Sequence, residues 1–120
     1  MRTYTAAQAE AELPALRGQL SRIRTARDVL IASSRRIADA VAADGGGVAG
    51  SDWFEAGRQL REDVTDLAER GILLRDPESG LVDFPADREG RIVFLCWQVD
   101  EEGVAWWHEQ DSGSLGRKPL

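Results

Sequence analysis

A chain of 120 residues, 42% hydrophobic and 30% charged, suits one domain (1–120) with a modest core and excludes a substrate domain beside a separate cofactor domain. The net charge of −6 argues against a general nucleic-acid binder, whose affinity would rest on clustered Lys and Arg. A single cysteine, Cys96, excludes an internal disulfide; the absence of an apolar run near the roughly twenty residues that cross a bilayer, or of a secretory leader in Met1-Arg2-Thr3-Tyr4-Thr5, leads us to expect a cytoplasmic protein with no membrane partner.

The first half has helical period. Thr5 can accept from the free amides of a helix starting at Ala6, whereas Pro14 disfavours the α conformation at Leu13. A short leading helix is therefore predicted before Leu13, with a new one beginning at Pro14, where a missing N–H matters little. Leu13, Leu20 and Val41 then share one row, and Leu16, Ile23, Leu30 and Ile37 the adjoining one, giving a long amphipathic helix to about Asp44. Arg27 and Ser34 interrupt these rows, either to fix register against a partner or because the stripe drifts off a strict heptad.

Gly45-Gly46-Gly47 allows the chain to reverse. Asp52 and Glu55 form a capping-box pattern, and Trp53, Leu60 and Leu67, with Gly57 and Val64, mark the stripe of a second helix that Gly71 stops. An antiparallel hairpin over 1–71 cannot bury both apolar faces alone; either the rest of the chain covers it, or a second copy does, as a homodimeric four-helix bundle.

After Gly71 the period becomes extended. Ile72-Leu73-Leu74-Arg75 and Leu81-Val82-Asp83-Phe84 read as strands around the turn residues Asp76 to Gly80, the second strand closed by Pro85; 91–99 is the longest, and 104–108 follows a turn at Asp100-Glu101-Glu102-Gly103. The fold class expected is α+β: a helical hairpin followed by an antiparallel meander of three to four strands over 72–111, with a Gly-rich tail at 112–120. If Gly103 is the left-handed residue of a three-residue hairpin loop, Asp100 faces Val104 and Cys96 lies opposite His108. A one-residue slip would separate that pair.

The chain's only Cys, its only His and three of its four Trp fall in this half. Cys96 and His108, with a carboxylate from Asp83 or Asp111, offer the soft and borderline donors that suit zinc. The spacing is unlike that of paired Cys-x-x-Cys sites, so Cys96 as a small core residue and His108 bonded to a carbonyl or carboxylate stand as the plain alternative. A Cys96–His108 nucleophilic pair lacks any recognisable oxyanion-hole segment. Arg117, in the locally basic tail, could bind an anion or pin the terminus by pairing with Asp83 or Asp111. Trp106 and Trp107 must point to opposite faces, so one of them covers a helix, a partner or a ligand.

Tyr4-Thr5, Ala9, Leu13 and Pro14, then 71–76, Gly80-Leu81-Val82-Asp83-Phe84-Pro85-Ala86, Leu95-Cys96-Trp97, Trp107-His108, Asp111, Gly113, Gly116-Arg117 and Pro119 resemble an uncharacterised prokaryotic family, the domain of unknown function DUF2203. The resemblance spans nearly the whole chain. It implies no activity or cofactor, but its motif includes Asp83, Cys96, Trp97, His108, Asp111 and Arg117. With Trp107 these form the candidate functional block.

Three functions follow as expectations. The first is a non-enzymatic oligomerisation or interaction module acting as a homodimer through the hairpin. The second is a zinc-type metal-binding protein using Cys96, His108, Asp83 and Asp111, and the third an anion-binding protein or enzyme built around His108 and Arg117.

Overall fold

The computed structural model describes residues 2–44 and 51–120. Helix α1 (Ala6–Asp44) and helix α2 (Ser51–Glu69) pack antiparallel, and a five-stranded antiparallel sheet follows in the order β1 (Leu73–Asp76), β2 (Leu81–Arg88), β3 (Arg91–Gln98), β4 (Trp106–His108) and β5 (Lys118–Pro119). The α+β expectation holds. The reversal assigned to Gly45-Gly46-Gly47 lies outside the described residues, as do the side chains of Ile37 and Val41.

Thr5 caps α1 reciprocally with Gln8: the Gln8 amide donates to Thr5 Oγ1 at 3.1 Å and the Thr5 amide to Gln8 Oε1 at 2.9 Å. The break expected at Pro14 is not there, and α1 is a single helix of 39 residues. Ala9, Leu13, Leu16, Leu20, Ile23 and Ala26 form one buried stripe across that point, while Pro14 and Glu10, whose carbonyl loses its donor, both lie on the exposed side. Continuous burial of the stripe outweighs the roughly 3 kcal/mol that an interior proline costs. Past Ile23 the stripe drifts off the heptad: Ala26 and Ser33 are buried and Ser34 faces water.

Helix α2 begins one residue before Asp52, and Glu55 is drawn to Arg58 at 2.7 Å instead of closing a capping box. Its inward face is rotated from the expected one. Ala56, Asp63 and Leu67 are buried and Val64 is exposed, because Asp63 receives Arg22 at 3.0 and 3.2 Å and Gln59 at 2.8 Å. Gln19 and Arg70 extend this polar seam through Asp66, and Arg70 also binds Glu12 at 2.6 Å. The C-terminus of α2 closes as a Schellman motif: Gly71, at φ 71°, donates to Ala68, Ile72 donates to Leu67, and the side chains of Leu67 and Ile72 both enter the core.

The face of the sheet that meets the helices carries Val82, Phe84, Ala86, Val93, Leu95, Trp97 and Trp107. Strand β2 does not stop at Pro85. Beyond Leu81–Asp83 it has no β1 neighbour, so the proline ring faces no lost ladder bond, and its carbonyl accepts the Tyr4 amide at 2.7 Å. Glu89 and Gly90, both at positive φ (55° and 84°), make the two-residue turn into β3. The tail contributes a fifth strand that was not expected: β5 pairs with β4, and the Leu120 amide donates to Ala105 at 2.9 Å.

The hairpin register differs from the expected one by two residues. Cys96 pairs with Trp106 and Phe94 with His108. Gly103 is not left-handed; the 99–105 segment is a longer loop in which the Glu101 amide donates to Gln98, Glu101 Oε1 accepts the Gln98 amide, and its carbonyl accepts Trp97 Nε1. Arg17 and Glu10 of α1 hold this loop from the other side, through the Glu101 and Glu102 carbonyls and the Val104 amide. A slip of two preserves the face, so Cys96 and His108 become diagonal neighbours on one side of the sheet.

A candidate metal centre on the outer face of the sheet

Asp83 on β2 lies directly across from Cys96 on β3, and His108 on β4 stands diagonally beyond Cys96. All three point away from the helices. They are nevertheless sealed, with Asp83 and His108 each 2% exposed and Cys96 at 0%. The cover comes from Phe94, packed on the His108 ring at 5.5 Å, from Arg75 lying over Phe94, and from Arg117 lying 4.8 Å over Trp106. One ligand atom from each of the three lies within 4.8 Å of the others.

Hydrogen bonding fixes how these donors face one another. His108 Nδ1 lies 2.7 Å from the Glu109 carbonyl, which can only accept, so Nδ1 carries a hydrogen. Nε2 is thereby turned toward Asp83, 3.0 Å from both carboxylate oxygens. A neutral imidazole in that tautomer would set a lone pair against a carboxylate, so one proton must sit between the two groups. Arg75 Nε donates to Asp83 Oδ2 at 2.8 Å from the rim. Burial, reinforced by the Asp83 charge, pushes the Cys96 thiol up to about 11, against the opposing pull of Arg117, whose Nη1 is 4.0 Å from Sγ. At neutral pH Cys96 is a protonated thiol. It is not the activated nucleophile of a Cys–His pair.

The other candidates divide. Trp97 and Trp107 belong to the opposite, helix-facing core. Asp111 is exposed and outside the cluster, on the rim of a depression of about 460 Å³ whose walls include Arg75, Asp83 and His108 on one side and residues 110–114 on the other. Arg117 does pin the tail, but its partner is neither Asp83 nor Asp111: it grips both Glu101 oxygens at 3.0 Å. Arg117 thus meets the cluster at Cys96, while the arginine that bonds Asp83 beside His108 is Arg75. Sequence reasoning passed over Arg75. Its signal was the two-residue alternation with Leu73, which places it on the Asp83 side of the sheet.

The profile of the family described as an uncharacterized conserved protein, DUF2203, matches residues 2–120. The chain belongs to the DUF2203 family. No curated protein and no solved structure matches it. Within this DUF2203 chain the buried Asp83–Cys96–His108 group is chemically expensive, because ionisable side chains removed from water lose hydration that apolar residues of the same size would not need. A fold of this size gains little stability from such a trio.

Proposed function

We propose that this DUF2203 protein binds a transition metal of the zinc type through Asp83 carboxylate, Cys96 Sγ and His108 Nε2. The observation that carries this reading is the convergence of three buried donors of different chemical type within 4.8 Å. Metal–ligand bonds of about 2.0–2.3 Å at tetrahedral angles set donors roughly 3.5 Å apart, so small side-chain rotations suffice. The Nδ1–H bond to the Glu109 carbonyl is the outer-sphere arrangement that orients an imidazole for metal through Nε2. Arg75 on Asp83 and Arg117 near Cys96 supply charge partners for the two anionic ligands.

Loading would displace the proton held between His108 and Asp83 and that of the Cys96 thiol, so about two protons should leave per metal bound near neutral pH. The test is the metal content of untagged protein purified without chelator, beside a Cys96→Ala, His108→Ala double variant, with proton release followed as zinc is added back to stripped protein. Near-stoichiometric metal that the folded double variant lacks is the expected result. Equal metal content in both proteins, or no zinc uptake by either, would remove the proposal.

A second reading, self-association through the hairpin, rests on a different observation. The contiguous core cluster ends at Ile23 on α1 and Leu60 on α2, with only the small side chains of Ala26 and Ala56 buried beyond it among the apolar residues described, yet α1 alone extends about 58 Å at 1.5 Å per residue. Beyond that limit Ile31 and Phe54 are exposed, the latter at 64%, and Val29, Leu30 and Trp53 are half-buried. Residues 24–39 of α1 carry Arg24, Arg27, Arg35 and Arg36 against Asp28 and Asp39, whereas residues 52–62 of α2 carry Asp52, Glu55 and Glu62 against Arg58 and Arg61. We propose a second copy, arranged antiparallel, as the occupant, since it would cover the exposed apolar residues of both arms and set the net-basic stretch of one α1 against the net-acidic stretch of the other α2. Light scattering should find a dimer at tens of micromolar and a monomer for Ile31→Glu, Phe54→Glu; a wild-type monomer at high micromolar concentration refutes it.

A further inference from the structure

The donors of the proposed metal centre are not equally placed. Asp83 and His108 line the depression of about 460 Å³, whereas Cys96 lies beneath them and does not. A metal held by all three would therefore keep its remaining coordination position on the depression side, where three protein ligands leave room for an exogenous one. The volume is in the range of small-molecule sites.

Arg75 stands at the wall of the same depression, its side chain 44% exposed. Its Nε holds Asp83 Oδ2, and its aliphatic and guanidinium surface rests on Phe94 at 5.0 Å, which fixes the group's orientation. Among the described residues neither Nη atom has a protein acceptor within hydrogen-bonding distance. Those two nitrogens form an unused fork beside the open side of the metal. A divalent ion with one carboxylate, one thiolate and a neutral imidazole is balanced in charge, so the guanidinium remains as surplus positive charge at the mouth. The acidic group near it is Asp111, exposed on the far rim and paired with no cation among the described residues.

We infer that the depression binds a small oxyanion, one oxygen completing the metal's coordination and the others received by the Arg75 fork. This rests on the metal reading above and specifies the ligand class for that same site. A planar guanidinium with two free N–H edges matches carboxylate and phosphate oxygens in geometry as well as charge. Ser114, on the loop that forms the opposite wall, can add a hydroxyl donor, whereas the Ser112 hydroxyl is turned to the Glu109 and Gly113 carbonyls.

Cobalt(II) in place of zinc makes the test spectroscopic, since a thiolate ligand gives a near-ultraviolet charge-transfer band and the visible bands report coordination. Cobalt-loaded protein should show both, and titration with inorganic phosphate or, in a separate arm, acetate should shift the visible bands saturably. The arm that saturates at lower concentration assigns the source as phosphate or carboxylate. Arg75→Met also removes the hydrogen bond on Asp83 Oδ2, so its response is read against its own anion-free spectrum: it should keep the thiolate charge-transfer band and weaken the anion response by about tenfold or more, the value of one charge-assisted hydrogen-bonding fork. Arg75→Lys, which keeps the charge without the fork, should fall between the two. Cobalt bands that ignore both anions, or an anion response undiminished in Arg75→Met, overturn the oxyanion site and leave the metal centre standing. Absence of the charge-transfer band in folded protein overturns the metal centre, and the oxyanion site with it.

Discussion

Asp83→Leu should destabilise the metal-free protein by about 3–5 kcal/mol, the range for removing one partner from a buried charged pair. The carboxylate is the acceptor of both Arg75 Nε and the proton shared with His108 Nε2, and His108 is as sealed as Asp83 itself. Without Asp83 the imidazole must remain buried with one ring nitrogen facing leucine. Replacing both partners at once, Asp83→Leu with His108→Phe, should recover most of the loss, because two well-packed apolar side chains need no proton and no partner. Urea unfolding in the presence of chelator measures this, with the midpoint compared at constant slope. A double variant as unstable as the single one would mean that the pair holds the fold together, and would weaken the case that it is kept for binding. Both variants should lose metal uptake, so their stabilities separate while their binding does not.

The thiol of Cys96 should be about a hundredfold less reactive toward iodoacetamide in the folded protein than in urea near neutral pH. Its ordinary value of 9.0 is raised to about 11 by burial and the Asp83 charge, and only the thiolate is alkylated. The sign for stability follows from the same shift. Between about pH 9 and pH 11 the folded thiol keeps its proton while the unfolded one has lost it, so the stabilisation is complete below pH 9 and declines as pH rises toward 11. Tyr4, raised chiefly by burial, acts with the same sign, so the Cys96 share is the part of the alkaline loss that vanishes in Cys96→Ala. Alkylation in the folded state as fast as that of an ordinary exposed thiol would contradict the sealed geometry. Metal binding should abolish the reaction altogether.

The elements whose local chemistry agreed with their tertiary role were legible from the residues. Thr5 as a cap, Gly71 as a stop and the antiparallel strands needed only propensity and period. The misreadings came where tertiary contacts overrode a local rule. Pro14 ends a helix in isolation, but not one whose buried stripe continues on both sides of it. Asp63 looks like a solvent-facing residue until Arg22, Gln19 and Gln59 are seen to converge on it from two helices. For the site, Asp83, Cys96 and His108 could be selected by residue type, and their common face survived a wrong register because the slip was even. Asp111 could not be separated from them by sequence, since its removal from the cluster depends on the path of the loop after His108. Arg75 was hidden by its place in a short strand with a register shift between Leu74 and Asp76.

Pro85, Arg75 and the two-residue β5 share a consequence for how this sheet meets other chains. An exposed strand with a free row of amides and carbonyls invites a foreign strand to add to it. Here β1 is only four residues long and irregular in register, β2 beyond it offers a proline whose carbonyl is already taken by Tyr4, and the far side ends on Lys118 and Pro119. Both margins are therefore poor templates for amyloid-like growth, although the strands between them carry such apolar runs as Val93-Phe94-Leu95-Cys96-Trp97. The short final strand keeps β4, with Trp107 and His108, from becoming the rim of the sheet.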